Sequence, residues 1–226
     1  PPLEGATGMR VEALTHGDLP FGGPGHSRYG TWALTELEVF VQPPGSEKWE
    51  TVGLQNATAD FSESTRGLEP EWKAPSIDPD GLRTCGPVAF LIDGNENTAW
   101  RADRGPGRRN QESVAVVQFE HPLTYPSGTR LKVLYTMNHG EDTTGRGSTM
   151  LGRSRFSMTN APDPKVAAVD YAATLALEIP AGQRTVAQEE RIYRAWRASD
   201  PEAGTFNDEA AALWKNFPAA PTSVLH

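Results

Sequence analysis

A chain of 226 residues, 37% hydrophobic and 22% charged, has globular composition and enough apolar material for one good core. Its formal net charge of −8 argues against a duplex nucleic-acid binder, which needs a basic face. A single cysteine, Cys85, excludes an internal disulfide, haem attachment within this chain and structural zinc on thiolates, and no apolar run approaches the roughly 20 residues that span a bilayer.

Glycine (22) and proline (19) are scattered between short apolar runs, the pattern of short strands joined by turns. Met9–Leu14 (MRVEAL) reads as the first strand and Asp18–Thr31 as a long glycine-rich loop. Trp32–Val41 alternates, with Leu34, Leu37, Val39 and Val41 apolar and Thr35, Glu36, Glu38 and Gln42 polar. Its period slips by one between Leu34 and Leu37, as at a bulge. A turn over Gln42–Lys48 leads to a further strand at Trp49–Leu54. Asn56–Pro87 has loop composition and is long enough to wrap a sandwich or carry a site. Val88–Ile92 (VAFLI), Val114–Phe119, Arg130–Met137 and Arg153–Thr159 are predicted strands, short and bounded by Gly, Pro or Asn, with the glycine-rich loop Asn138–Gly152 between the last two.

The texture changes after Asn160. Ala-Pro-Asp-Pro (161–164) breaks the strand pattern, and Lys165–Leu177 is alanine-rich and helical in propensity. Thr185-Val-Ala-Gln188 fits a capping box opening a helix that runs to about Ser199 and stops at Pro201, and Asn207–Asn216 reads as a third helix. The predicted fold is a mainly β chain: an antiparallel β-sandwich of the jelly-roll kind over residues 1–160, with a short helical extension over 161–226 packed against it.

The sharpest local signal is Asp93-Gly94-Asn95-Glu96-Asn97-Thr98-Ala99-Trp100. Oxygen donors recur every one or two residues around a glycine, which suits a hard cation such as calcium. The same residues also suit an Asx turn that needs no ion. Arg101, Arg104, Arg108 and Arg109 follow directly, a basic exception in an acidic chain. Arginine binds carboxylate and sulfate bidentately, so these residues suit an anionic glycan, or else neutralise nearby acids. Trp32, Trp49 and Trp72 lie in or beside polar, glycine-rich surroundings, whereas Trp100, Trp196 and Trp214 read as packing residues. The histidines lack HExxH spacing and no GxSxG occurs, so the expectation is a protein that is not an enzyme.

The segment IDGNENTAW (92–100) resembles the A-x-D-G-N-x-x-T-x-W stretch of discoidin-like, galactose-binding carbohydrate modules. The resemblance implies a structural calcium ion held by Asp93, Asn95 and Thr98, with Trp100 packed beneath. In that family a glutamate on the last strand reaches the same ion. Here the matching segment, LTELEVF (34–40), lies upstream of the loop and puts Glu36 in that place, which implies a permuted strand order or differently shared first strands. A broader series, from MRVEAL and GGPGHSRYGTWALTELEVF to LGRSRFSMT and PAAPTSVL, resembles the middle region of large secreted planctomycete proteins that also carry cytochrome-c-like segments. The abrupt start at Pro1-Pro2 fits that resemblance, and the expectation is a piece of a longer protein.

Together these resemblances imply a non-catalytic polysaccharide-binding module of a larger secreted or periplasmic bacterial protein. The expected sugar site lies on the end loops: Trp72 and Tyr29 offer stacking faces, and Arg101, Arg104, Arg109 and His139 offer hydrogen bonds, to a neutral or anionic glycan. The competing reading is an internal domain that docks neighbouring cytochrome-like or other domains and binds no glycan.

Overall fold

The computed structural model describes residues 3–68, 78, 80–139, 149–166 and 171–216. In chain order the described strands are β1 (Leu3–Ala13), β2 (Glu36–Gln42), β3 (Glu50–Val52), β4 (Leu54–Ala59), β5 (Arg66–Gly67), β6 (Thr84–Gly86), β7 (Thr98–Trp100), β8 (Ser113–Tyr125), β9 (Arg130–Thr136) and β10 (Ser154–Thr159). Three short helices follow, α1 (Tyr171–Glu178), α2 (Val186–Ser199) and α3 (Gly204–Lys215). The protein is a mainly β, antiparallel sandwich with a short C-terminal helical part.

One sheet has the order β10-β1-β8-β4 and the other β3-β2-β9, with every pair antiparallel. Period-two patterning decides which faces meet. Met9, Val11 and Ala13 of β1 and Ala115, Val117 and Phe119 of β8 bury their side chains in the same cluster as Leu37, Val39 and Val41 of β2. Trp32 and Trp100 sit in that cluster edge to face, with ring centroids 4.7 Å apart. A smaller sheet, β5-β6-β7, contains the parallel pair β6–β7 and buries Cys85 and Ala99 with Ala33 and Leu68.

The outer face of β8 is also covered. Residues 161–166, where the strand pattern stops, run along the sheet: Gln118 Nε2 donates to Asp163 Oδ1 (2.7 Å) and the Pro164 carbonyl (3.1 Å), and Val166 N donates to Thr58 Oγ1 (2.9 Å).

Several elements differ from the sequence reading. Val88–Ile92 is a 3-10 turn and not a strand. Val88 and Leu91 are buried while Ala89 is exposed, the i, i+3 spacing of three residues per turn, and Pro87 leads into it. The expected strand at Trp49–Leu54 divides at Gly53, so β3 joins one sheet and β4 the other. Asn56, with φ of 49°, sits at a register shift of β4 against β8, a bulge that hides the alternation and makes this stretch resemble a loop. Leu34 falls outside β2 and makes an isolated bridge to Trp100.

The helical part forms its own compact unit. The capping box is present, with Gln188 N donating to Thr185 Oγ1 (3.3 Å) and Thr185 N donating to Gln188 Oε1 (2.9 Å). Helix α3 starts at Gly204, three residues before the expected Asn207. No described helix is long and apolar enough to cross a membrane.

Candidate functional site: the Asp93 loop, the arginine network and an aromatic sheet face

The 3-10 turn ends at Asp93, and Gly94 (φ 71°) turns the chain back toward β7. Asn95 N donates to Asp93 Oδ1 (3.0 Å), and Asn97 N donates to Asn95 Oδ1 (3.1 Å), two successive Asx turns. Thr98 Oγ1 lies 3.0 and 2.8 Å from the two Asp93 carboxylate oxygens and 2.9 Å from the Asn95 carbonyl. Thr98 opens β7, and two residues later Trp100 is fully buried, so the core anchors the far end of the loop.

Glu36, the first residue of β2, brings its carboxyl to this loop. The backbone N–H groups of Asn95 and Gly94 donate to it, and it faces the Asp93 carboxyl. Burial, reinforced by Asp93, pushes Glu36 up to about 7. Its Oε1 is buried with no hydrogen-bond partner. The four residues singled out in the sequence, Asp93, Asn95, Thr98 and Glu36, therefore converge. Among the described residues no three His, Cys, Asp or Glu side chains form a metal-holding group. Here two carboxyls are joined by amide, hydroxyl and carbonyl oxygens, an all-oxygen set of the kind hard cations take.

The arginines after the loop are engaged within the protein. Arg101, with its side chain 2% exposed, donates from Nε to Glu63 Oε1 at 2.7 Å. Arg109 holds Asp103 through two bonds of 2.9 and 3.0 Å, and Arg66 reaches both Glu63 (3.0 Å) and Asp103 (3.2 Å). Arg104 donates to Ser113 Oγ (2.7 Å) and Asp60 Oδ2 (2.8 Å), with its guanidinium 4.8 Å from the Phe61 ring centre. Burial pushes Glu63 up to about 7 against the pull of Arg66, and it pushes Asp60 up against Arg104. Tyr29 is half-buried, with the guanidiniums of Arg28 and Arg109 over its ring. Thr31, Trp32, Arg101, Asp103 and Arg109 line a narrow crevice.

His139 is fully buried. Its Nε2 donates to the Asn97 carbonyl (3.1 Å) and its Nδ1 contacts Asn138 Oδ1 (2.8 Å) and Thr35 Oγ1 (3.2 Å), while burial pushes its pKa down. It braces the Asp93–Thr98 loop from inside. Trp72, the main stacking residue expected from the sequence, lies outside the described residues.

A second arrangement lies on the outer face of the three-stranded sheet. Phe40 of β2 stands opposite Lys132 of β9, and Gln42 opposite Arg130. Trp49, one residue before β3, joins them: Lys132 Nζ lies 4.2 Å from the Phe40 ring centre and 4.9 Å from that of Trp49, and the Arg130 guanidinium lies 5.7 Å from Trp49. Both cations are exposed and both rings are half-buried. The alternation of RLKVLY already puts Arg130 and Lys132 on one face. Their meeting with Trp49 depends on strand pairing, which the sequence does not display.

No protein-family model matches this chain, and no curated protein or solved structure matches it.

Proposed function

We propose that this chain is a non-catalytic polysaccharide-binding module of a larger secreted or periplasmic protein, stiffened by a structural calcium ion. The observation that carries the glycan reading is the sheet face on which Trp49 and Phe40 stand together. Pyranose rings stack their C–H faces on aromatic rings, and a packed sandwich presents such rings without reordering itself. The calcium reading is supported by the convergence of Asp93, Asn95, Thr98 and Glu36 and by the unpartnered Glu36 oxygen. These residues would hold the ion, and its positive charge would neutralise two carboxyls that otherwise oppose each other. The test is a glycan array probed with and without calcium, expected to return at least one polysaccharide class.

A docking domain without glycan binding is the second reading. Leu131 (38% exposed) and Leu134 (47% exposed) lie on β9, an edge strand, and favour it. An array with no hits in either condition would leave docking as the better account.

A further inference from the structure

We infer that the ligand of the Trp49 face is an acidic polysaccharide, one whose pyranose rings carry carboxylate or sulfate. The inference rests on the glycan-binding reading and places the site on the sheet face, away from the end loops.

Arg66, Arg101, Arg104, Arg109 and Arg155 of the sandwich are each held by a carboxylate. Lys48, Arg130 and Lys132 are exposed, and none of them makes an ion pair with a described residue. All three surround Trp49: Lys48 precedes it in the chain, and the other two lie over its ring. These cations stand on an aromatic platform with no ionic partner of their own among the described residues, beside the exposed Glu38, Glu47 and Glu50, so an acidic ligand would find donors there that no carboxylate already holds.

The geometry suits a chain of sugars. Phe40 pairs with Thr51 of β3 on one side and Lys132 on the other, while Gln42 pairs with Arg130. The two rows lie two residues apart along the strands, about 7 Å. Trp49 lies under both Arg130 and Lys132, so a polysaccharide laid across the two rows meets two aromatic rings and two cations. The cations now rest on the rings, a weak contact at an exposed site. Exchanging it for a sugar face on the ring and an acidic group on the displaced cation costs little and adds a charge-assisted bond. A neutral glycan would displace the cations and return nothing to them.

The experiment is affinity electrophoresis through gels containing polygalacturonate, dextran sulfate or unmodified dextran, run on the wild type, Trp49→Ala, Lys132→Gln and Arg153→Gln. Arg153 is an exposed cation away from this face and controls for lost charge alone. Polygalacturonate, dextran sulfate or both should retard the wild type while dextran does not, and the two polyanion arms separate carboxylate from sulfate recognition. Trp49→Ala and Lys132→Gln should each weaken retention by about tenfold, with unchanged melting curves, and Arg153→Gln should not. Retention that is equal in all four proteins, or as strong on dextran, overturns the acidic-glycan site and leaves the glycan-binding reading standing. If neither these gels nor the glycan array retains the wild type, both readings fall.

Discussion

The carboxyl of Glu36, at the start of β2, faces the carboxyl of Asp93, at the end of a 3-10 turn in a distant part of the chain. Burial raises the cost of charging Glu36, and the Asp93 charge beside it raises that cost further. Two carboxyls placed this way either share protons or share a cation. The Asx turns of the loop fix Asp93, and β2 fixes Glu36, so neither can swing away without breaking structure.

Calcium should therefore raise the melting temperature, and EDTA should lower it. At a free calcium concentration a hundred times the dissociation constant, mass action supplies about 2.7 kcal/mol. Asp93→Ala and Glu36→Gln should each abolish the response. Melting curves that coincide in calcium and chelator would sink the proposed site.

Glu12 and Arg155 stand directly opposite on β1 and β10, joined by bonds of 2.5 and 2.7 Å. The Arg155 hydrogen bond, with help from Arg10, holds the Glu12 carboxyl below its ordinary 4.5. A depressed carboxyl contributes stability above its unfolded pKa and loses it as pH falls through the folded one. Glu12→Gln should cost about 1 kcal/mol at pH 7, discounted because Arg155 is half exposed. The gap between the two proteins, measured by urea unfolding, should close as pH drops below about 4. A gap independent of pH would show that the pair does not act through charge.

The fold was legible wherever a local rule decided it. The box at Thr185 and Gln188 opens α2 where the spacing says, and the alternation of Leu37, Val39 and Val41 marks the buried face of β2. Legibility failed where short apolar runs have no period of their own. VAFLI carries β-branched residues, but the spacing of Val88 and Leu91 suits a 3-10 turn as well as a strand. At the site, the Asp93 loop was visible in its spacing, whereas the place of Glu36 came only through a family resemblance. The arginines were visible as charge, but Asp60 and Glu63, which engage Arg104 and Arg101, sit in a segment read as loop.

Arg101 illustrates the difference between a cation in sequence and a cation in a site. Its side chain is buried with Glu63, which is 10% exposed, and lies 3.7 Å from Asp103, which is 3% exposed. Arg101→Ala removes one partner from an already crowded acidic pair. The loss should be about 1–3 kcal/mol in chemical unfolding, because Glu63 and Asp103 keep Arg66 and Arg109 but lose a buried, charge-assisted hydrogen bond. If Arg101→Ala unfolds like the wild type, the guanidinium is free for a ligand after all.

Gly8 of β1 faces the strap at residues 161–166 across the outer surface of its sheet. A Cβ built on Gly8 would lie 2.6 Å from the Val117 carbonyl oxygen and 2.8 Å from Pro164 Cγ. The carbonyl belongs to the β1–β8 ladder and cannot retreat without loosening it, so Pro164 must give way. Gly8→Ala should then cost about 1–3 kcal/mol, the usual range for overpacking. It should also free Gln118, whose amide is held by Asp163 and the Pro164 carbonyl. Hydrogen exchange separates the two effects: in Gly8→Ala the amide of Val166, bonded to Thr58, should exchange faster than amides of β2, which belong to the other sheet. Uniform acceleration across both sheets would mean global destabilisation only, and an unchanged Val166 amide would show that the strap is held without the space Gly8 leaves.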